Sequence, residues 1–345
     1  MTRALLLLAL LCAGGCAAPL EKGDVPVLLV PRAPGDHPAD PEEPVAQAAY
    51  SAQRYDQAAD LYYLLSQRVT DARLRADFLL YSAEAALGER DHHAAYQRYT
   101  RLLKLYPTTE HYDHAVNREF LLGRLFAEGK VLKPSWLFAL DMTDRDFGIK
   151  ALERFQRERE RHPLADDALH YAAVGYEASN EPGLAIDTWT KLGRLYPQSE
   201  WAETAEYRTA LATLRLSDGV VYDKGPLESG LERLEAYLRD HPKGDHAAEA
   251  QQKVAALREQ LAGQLLVAAR YYQRKDRPYA ARLYLNAIQR DYPKTDAARE
   301  AKTLAAAIPR TSPPAQKAPP SLLEGETGVN EDRLRLAPAP VDDTW

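Results

Sequence analysis

Cysteine is almost absent from this sequence, which contains only Cys12 and Cys16 in 345 residues. Both lie near the N-terminus, and Cys12 is expected to leave with a signal peptide, as argued below. Cys16 is then the one remaining thiol, and a single thiol excludes an intrachain disulfide and a metal site built from cysteines. The sequence therefore predicts a chain without disulfide cross-links, although a secreted protein would be permitted to form them.

The sequence also lacks the short motifs of common enzyme classes. It has no P-loop, no dinucleotide-binding fingerprint, no nucleophile elbow and no HExxH pair. Acidic and basic residues are both abundant and leave a net charge of −6. A nucleic-acid-binding protein would instead carry an excess of basic residues. His111, Asp113 and His114 have the spacing of metal ligands, but they follow a proline where exposed helix-start residues are expected. We predict no enzyme activity, no cofactor, no metal and no nucleic-acid partner.

No apolar run at the N-terminus is long enough to cross a bilayer. Ala4–Leu11 follows Arg3 and is too short for a membrane span, so residues 1–15 are predicted to be a secretory signal. The small residues before Cys16 resemble a bacterial lipobox, although Ala13 replaces the usual leucine. Acylation of Cys16 would then anchor the chain, and Ala17, which is not aspartate, favours the periplasmic face of the outer membrane. The alternative is ordinary cleavage near Ala17, without a lipid.

What the sequence does contain is a repeated spacing. Counting back from a Tyr-Pro or His-Pro pair, a small residue lies twelve positions before the proline and a large apolar residue eight positions before it. The small residues are Ala95, Ala151, Ala185, Gly230 and Ala281; the large ones are Tyr99, Phe155, Trp189, Leu234 and Leu285; the prolines are Pro107, Pro163, Pro197, Pro242 and Pro293. A degenerate sixth copy has Ala58, Tyr62 and Thr70 in register. This spacing is typical of the second half of a tetratricopeptide (TPR) repeat.

The spacing has a direct physical meaning. Residues four apart share one face of a helix, and proline ends a helix because it lacks an N–H and clashes with the preceding turn. Thr108, Ser199 and Asp296 are then expected to cap the next helices. One helix pair cannot bury its apolar face alone, so neighbouring pairs must stack. We therefore predict an all-α fold, a TPR-type α-solenoid superhelix of about six helix pairs; a generic helical bundle is the alternative.

The repeats divide the chain into predicted segments. Residues 16–44 are a proline-rich, lipidated tether with a reach of about 80 Å, and residues 45–307 are the superhelical domain. Its third repeat is interrupted by an insert at 130–146. Residues 308–345 regain prolines and charges without periodicity, and they are predicted to be a disordered tail.

Two parts of the chain resemble one known family. Lys104–Thr108 (KLYPT) is followed by an aromatic-rich insert that ends in Asp144-Arg145-Asp146, and then by Ala151–Phe155 (ALERF). Ala268–Tyr272 (AARYY) leads to Asp291–Pro293 (DYP). These features are similar to the BamD family, the lipoprotein subunits of the β-barrel assembly machinery of the outer membrane. The similarity covers about 45–163 and 246–300, whereas 164–245 departs from the family pattern as additional repeats.

The resemblance implies a non-enzymatic scaffold at the outer membrane. Its expected partners are the barrel-forming assembly subunit and unfolded outer-membrane protein precursors. The alternative is a periplasmic TPR lipoprotein of a cell-wall or cell-division complex. Such proteins usually place a coiled coil before the repeats, and residues 17–44 are proline-rich instead.

Candidate partner-binding residues fall into three groups. Tyr50, Tyr63 and Tyr96 are placed on the concave surface of the early repeats. Trp136 and Phe138, in the insert, either pack on the superhelix or form a docking knob. Asp144, Arg145 and Asp146 either cap the following helix, since Asp favours a helix N-terminus, or contact a partner.

Overall fold

The computed structural model describes residues 28–32, 39–131, 144–216 and 224–308. Within these ranges the chain forms thirteen α-helices and no β-strand. The helices are α1 (Glu43–Ser51), α2 (Tyr55–Arg68), α3 (Ala72–Gly88), α4 (His92–Leu105), α5 (Tyr112–Ala127), α6 (Arg145–Glu158), α7 (Ala165–Ala178), α8 (Pro182–Leu195), α9 (Ala202–Arg215), α10 (Gly225–Asp240), α11 (Ala247–Arg274), α12 (Pro278–Asp291) and α13 (Asp296–Ala307). The prediction of an all-helical, TPR-type solenoid is confirmed.

The chain divides into two compact units, Met1–Leu257 and Arg258–Trp345, and the boundary falls inside α11. In the first unit each helix from α1 to α9 packs against the next one along the chain. In the second unit α12 packs against α13. Contact between consecutive helices is the packing order of a solenoid, in which each repeat touches its neighbours.

The repeated small and large positions lie in the helix interfaces. Each of them is buried: Ala95, Tyr99, Ala151, Phe155, Ala185, Trp189, Gly230, Leu234, Ala281 and Leu285. Burying a large apolar side chain contributes roughly 1.5–3 kcal/mol, so these positions are the main stabilising contacts of the repeats. Helices α4, α8, α10 and α12 end two residues before their prolines, whereas α6 ends five residues before Pro163.

In four of the repeats the turn between the two helices uses one non-glycine residue in the left-handed conformation. Gln53, Arg90, Asn180 and Asp276 have φ angles of 58°, 68°, 57° and 51°. Each lies seventeen positions before the proline, or before Thr70 in the first repeat. At Arg90 the turn is closed by the N–H of Asp91, which donates to the carbonyl of Ala86 at 2.9 Å. This is the hydrogen-bond pattern of a helix C-terminus with a left-handed residue, and the sequence analysis did not find it because none of the four is glycine.

The capping predictions are wrong for the three residues named. Helix α5 begins only at Tyr112, well past Thr108, and neither α5 nor α9 has a side-chain cap. Ser199 lies in the turn before α9, where its hydroxyl accepts the N–H of Trp201 at 3.1 Å. At α13 the cap is Thr295, whose hydroxyl accepts the N–H of Ala298, and not Asp296. The chain makes a short turn after each proline, so a hydroxyl close to the proline bonds within that turn.

Several predicted features lie outside the described residues. These are Cys16 and the signal peptide 1–15, Trp136 and Phe138 of the insert, and nearly all of the tail 308–345. Among the helices in the described ranges, none combines the length and apolar character needed to cross a bilayer.

Candidate functional site

The buried part of helix α3 contains charged side chains, although the buried face of a helix is normally apolar. Helix α3 begins after Asp71, whose carboxylate accepts the N–H groups of Arg73 and Leu74 at 2.8 and 3.0 Å. From Ala76 onward nearly the whole helix is buried, including the carboxylates of Asp77 and Glu84. Buried carboxylates are rare in proteins unless they are paired, so this helix marks a specialised site.

Glu84 lies at the centre of a buried polar network. Its Oε1 accepts the hydroxyl of Tyr99 at 2.6 Å and lies 2.6 Å from Nε2 of His114 and 3.1 Å from Nε of Arg118. Its Oε2 accepts the main-chain N–H of Leu29 at 2.9 Å. The donors come from α4, from α5 and from the segment 28–32, so one carboxylate joins three parts of the first unit.

The network holds Glu84 in its charged form. Burial by itself would raise the pKa of the carboxyl group, but the hydrogen bond from His114, the charge of Arg118 and the hydrogen bonds from Tyr99 and Leu29 outweigh it, and the pKa lies below its usual value. Burial and the charge of Glu84 raise the pKa of Tyr99 well above its usual range. The tyrosine therefore stays protonated and acts as a donor to the carboxylate.

A short segment of the predicted tether is bound beside this network. Residues 28–32 have no helix or strand structure, yet they contact α1 and α3. The carbonyl of Leu29 accepts the hydroxyl of Tyr50 at 2.7 Å, and the N–H of Arg32 donates to the hydroxyl of Tyr81 at 3.2 Å. The tether prediction for 16–44 did not anticipate this docking, because five residues show no periodicity. We call the surface formed by Gln47, Tyr50, Asp77, Tyr81 and Glu84 the Glu84 surface.

The histidines near the start of α5 pair with carboxylates of α3. Nε2 of His111 lies 3.0 Å from Oδ1 of Asp77, and His114 contacts Glu84 as described. Asp77, Glu110 and His111 bring three potential metal-ligand atoms within 4.8 Å of one another. Glu110 is already paired with Arg73 at 2.6 Å, so hydrogen bonds and an ion pair account for all three groups.

The Asp144-Arg145-Asp146 stretch joins three helices. Asp144 precedes α6 but makes no side-chain cap; its Oδ2 instead lies 2.9 Å from Nε2 of His93 at the start of α4. Nε of Arg145 donates to the carbonyl of Ala127, the last residue of α5, at 3.2 Å. Asp146 is exposed. The capping interpretation is therefore wrong for the Asp144 side chain, because a histidine within reach competes for it.

An Asp144→Asn substitution is expected to lower the free energy of unfolding by about 1–2 kcal/mol, because it weakens a partly buried, charge-assisted hydrogen bond. The matched control is Asp146→Asn, on the exposed side of the same stretch, with an expected loss below about 0.5 kcal/mol. Urea unfolding followed by circular dichroism measures both. Equal losses for the two variants would contradict the role assigned to the contact with His93.

The three candidate tyrosines lie in different environments. Tyr50 is 5% exposed and contacts the docked segment through its hydroxyl. Tyr96 is 4% exposed, its hydroxyl accepts a hydrogen bond from Arg154 on α6 at 2.6 Å, and burial raises its pKa to about 12. Tyr63 is partly exposed, and its hydroxyl accepts from Arg101 at 2.7 Å. Tyr96 is therefore a helix-packing residue, and Tyr63 is the one of the three with an accessible ring.

Sequence reasoning missed Glu84 and Arg118. Both stand among apolar residues of a predicted helix, Glu84 within LLYSAEAAL and Arg118 within HAVNREFLLG. A charged residue inside such a run is the signal that would have marked them, because a lone buried charge must find a partner. The partner itself lies 34 positions away, a distance that local pattern does not bridge.

The chain is similar to known outer-membrane proteins. The model of a family described as outer membrane lipoprotein, YfiO, matches residues 138–315, just over half of the chain. The outer membrane protein assembly factor BamD of Caulobacter vibrioides is 23% identical over 167 residues, which are 44% of this chain and 55% of that protein. BamD of Vibrio cholerae is 23% identical over 182 residues, which are 48% of this chain and 76% of that protein. The chain thus spans little more than half the length of the first relative.

The matched range of the family includes residues 164–245, where the sequence analysis placed additional repeats, and it begins after most of 45–163. Repeats that share one spacing align with each other in more than one register, so the motifs do not fix which repeat corresponds to which. The assignment of 164–245 as additional repeats stays a prediction.

Proposed function

Because the chain belongs to the YfiO family of outer membrane lipoproteins, we propose that it is a scaffold in the assembly of β-barrel proteins into the outer membrane. The observation that carries this proposal is the family match over just over half of the chain. Both relatives are named as outer membrane protein assembly factors. A helical repeat array supports binding because it presents a continuous surface to other proteins. The protein acts by binding its partners and not by catalysis.

The protein associates with the outer membrane, and the proposed means is acylation of Cys16. An acyl anchor with several chains holds a protein stably at a membrane. The repeats then face the periplasm, and the proposed partners are the barrel-forming assembly subunit and unfolded outer-membrane protein precursors. Asp146 is exposed and Tyr63 is partly exposed, whereas Asp144 and Arg145 bond to His93 and Ala127 within the chain. We propose Tyr63 and Asp146, with Trp136 and Phe138 of the insert, as partner contacts.

Affinity purification from solubilised membranes tests the proposal. We expect a C-terminally tagged protein to recover an outer-membrane barrel protein with periplasmic domains. The Cys16→Ala variant is expected to leave the membrane fraction, whereas Cys12→Ala, a matched change within the predicted signal, leaves the distribution unchanged. Recovery of cell-wall synthesis or division proteins without a barrel protein would favour the alternative complex. Membrane association of Cys16→Ala equal to that of the unchanged protein would contradict the anchor.

A further inference from the structure

The docked segment 28–32 is held mainly through its main chain. Leu29 donates its N–H to Glu84 at 2.9 Å and accepts from Tyr50 at 2.7 Å. Arg32 donates its N–H to the hydroxyl of Tyr81 at 3.2 Å. The carbonyl of Pro31 accepts from Nε2 of Gln47 at 3.5 Å. Main-chain groups are common to every peptide, and recognition through them is how proteins bind extended segments of varied sequence.

The side chains of the segment add a simple pattern of preference. Leu28 and Leu29 are half-buried against the apolar core, and Pro31 is buried. A methyl group placed on Gly88 would lie 2.9 Å from Cδ1 of Leu28, so the missing side chain at Gly88 leaves room for this leucine. Val30, by contrast, is 76% exposed. The surface therefore selects two adjacent apolar residues and a nearby proline. It makes no selective contact with the residue at the position of Val30, which lies between Leu29 and Pro31.

Charge adds a further element to this pattern. Nη2 of Arg32 lies 3.9 Å from Oδ2 of Asp77, whose side chain is buried. The distance between the charges is that of a long ion pair, and the arginine is largely solvent-exposed, so this contact contributes little to affinity. It does favour a cationic residue at this end of the bound segment over an anionic one.

The Glu84 surface is held in place without help from the segment. Tyr99, His114 and Arg118 orient Glu84 from α4 and α5. The ring of Tyr50 packs edge-on against Tyr55, with centroids 5.3 Å apart. A binding surface whose side chains are fixed by their own helices is preorganised, so it loses little conformational freedom when a peptide binds.

From these contacts we infer that the Glu84 surface is a binding site for an unstructured peptide segment, and that residues 28–32 are its resident occupant. The acceptable ligand is a peptide with two adjacent apolar residues followed within three positions by a proline or a cation. A segment of the same chain competes at an effective concentration in the millimolar range. An incoming peptide must therefore displace residues 28–32, and this limits binding to abundant or well-matched peptides. The inference goes beyond the proposed function, because it holds whichever complex the protein serves.

Peptide binding to the full-length protein in detergent tests this inference. The probe is a fluorescent peptide with the sequence of residues 27–33, VLLVPRA, measured by fluorescence anisotropy. A Leu28→Asp/Leu29→Asp variant should release the resident segment and bind the probe at least about tenfold more tightly than the unchanged protein, as expected when an intramolecular competitor is lost. Val30→Asp is the matched control, since its side chain points to solvent, and its affinity should equal that of the unchanged protein.

Two further measurements test the hydrogen bond from the Leu29 N–H to Glu84 directly. A probe N-methylated at the second leucine lacks the N–H that Glu84 accepts, and it should not bind the released variant. Hydrogen exchange should show the Leu29 amide protected in the unchanged protein and unprotected in the double variant. If the double variant loses helical circular dichroism, Leu29→Pro replaces it, because that change removes the same N–H. Equal probe affinity in all variants, absence of binding to the released variant, or an unprotected Leu29 amide would each overturn the inference.

Discussion

Glu84→Gln is expected to lower the free energy of unfolding by about 3–5 kcal/mol, the usual cost of removing one member of a buried ion pair. The substitution keeps the shape of the side chain but removes the negative charge on α3 that pairs with Arg118 and His114 of α5. Desolvating Arg118 is then no longer offset by this carboxylate, and that imbalance is the reason for the large effect. Urea unfolding followed by circular dichroism at 222 nm measures the loss.

The matched control for this change is Glu89→Gln, five positions further along the chain, where the side chain is exposed. It should stay within about 0.5 kcal/mol of the unchanged protein. The double variant Glu84→Gln/Arg118→Met should lose less than the sum of the single variants, by roughly 0.5–3 kcal/mol, because the residues are coupled. Additive losses would show that the two side chains do not share a charge interaction.

The carboxylate of Glu84 also makes the free energy of unfolding depend on pH in the acidic range. Its pKa is lowered in the folded protein, so the unfolded chain takes up the proton first as the pH falls below the ordinary glutamate value of about 4.3. The contribution of Glu84 is therefore complete above that pH and is lost as the pH falls through the folded-state pKa. In Glu84→Gln this part of the acid sensitivity should disappear.

Gly148→Ala is expected to lower the free energy of unfolding by about 1–3 kcal/mol, or more, since it overpacks a helix interface. A Cβ atom at this position would overlap the backbone nitrogen of Ala127 and lie 2.5 Å from Cβ of Phe126. Backbone atoms of α5 do not move aside as a flexible side chain does, so α5 and α6 must separate. The gain in helix propensity from glycine to alanine, about 1 kcal/mol, is too small to offset this.

Gly263→Ala is the matched control because it makes the same change in the interior of α11, where a new Cβ meets no atom within 4 Å. Only the propensity gain remains there, so stability should rise by up to about 1 kcal/mol. Thermal and urea unfolding of both variants measure the two effects. If Gly148→Ala raised stability as Gly263→Ala is expected to, the close approach of α6 to α5 at Gly148 would be refuted.

Local sequence was sufficient to predict the helices and the buried faces of the repeats. The positions of Tyr99, Trp189 and Leu285 followed from their spacing to a proline, because helix period and proline chemistry act over only a few residues. The capping residues were predicted incorrectly, since the length of the turn after each proline depends on how the next helix packs. The left-handed turn residues were not predicted, because Arg90 and Gln53 are not residue types that indicate this conformation.

Contacts between distant segments lay beyond local pattern, and they include the candidate site. Leu29 and Glu84 are separated by 55 positions, and His93 pairs with Asp144, which lies near the end of the insert at 130–146. No periodicity specifies such pairs, because the local helix or loop around each residue forms equally well with or without the distant partner. The pairing is decided only when the repeats stack. Spacing along the chain therefore established the class of fold and its core. Stacking of the repeats established which charges are buried together and which surface holds residues 28–32, because desolvation and pairing arise only when the helices meet.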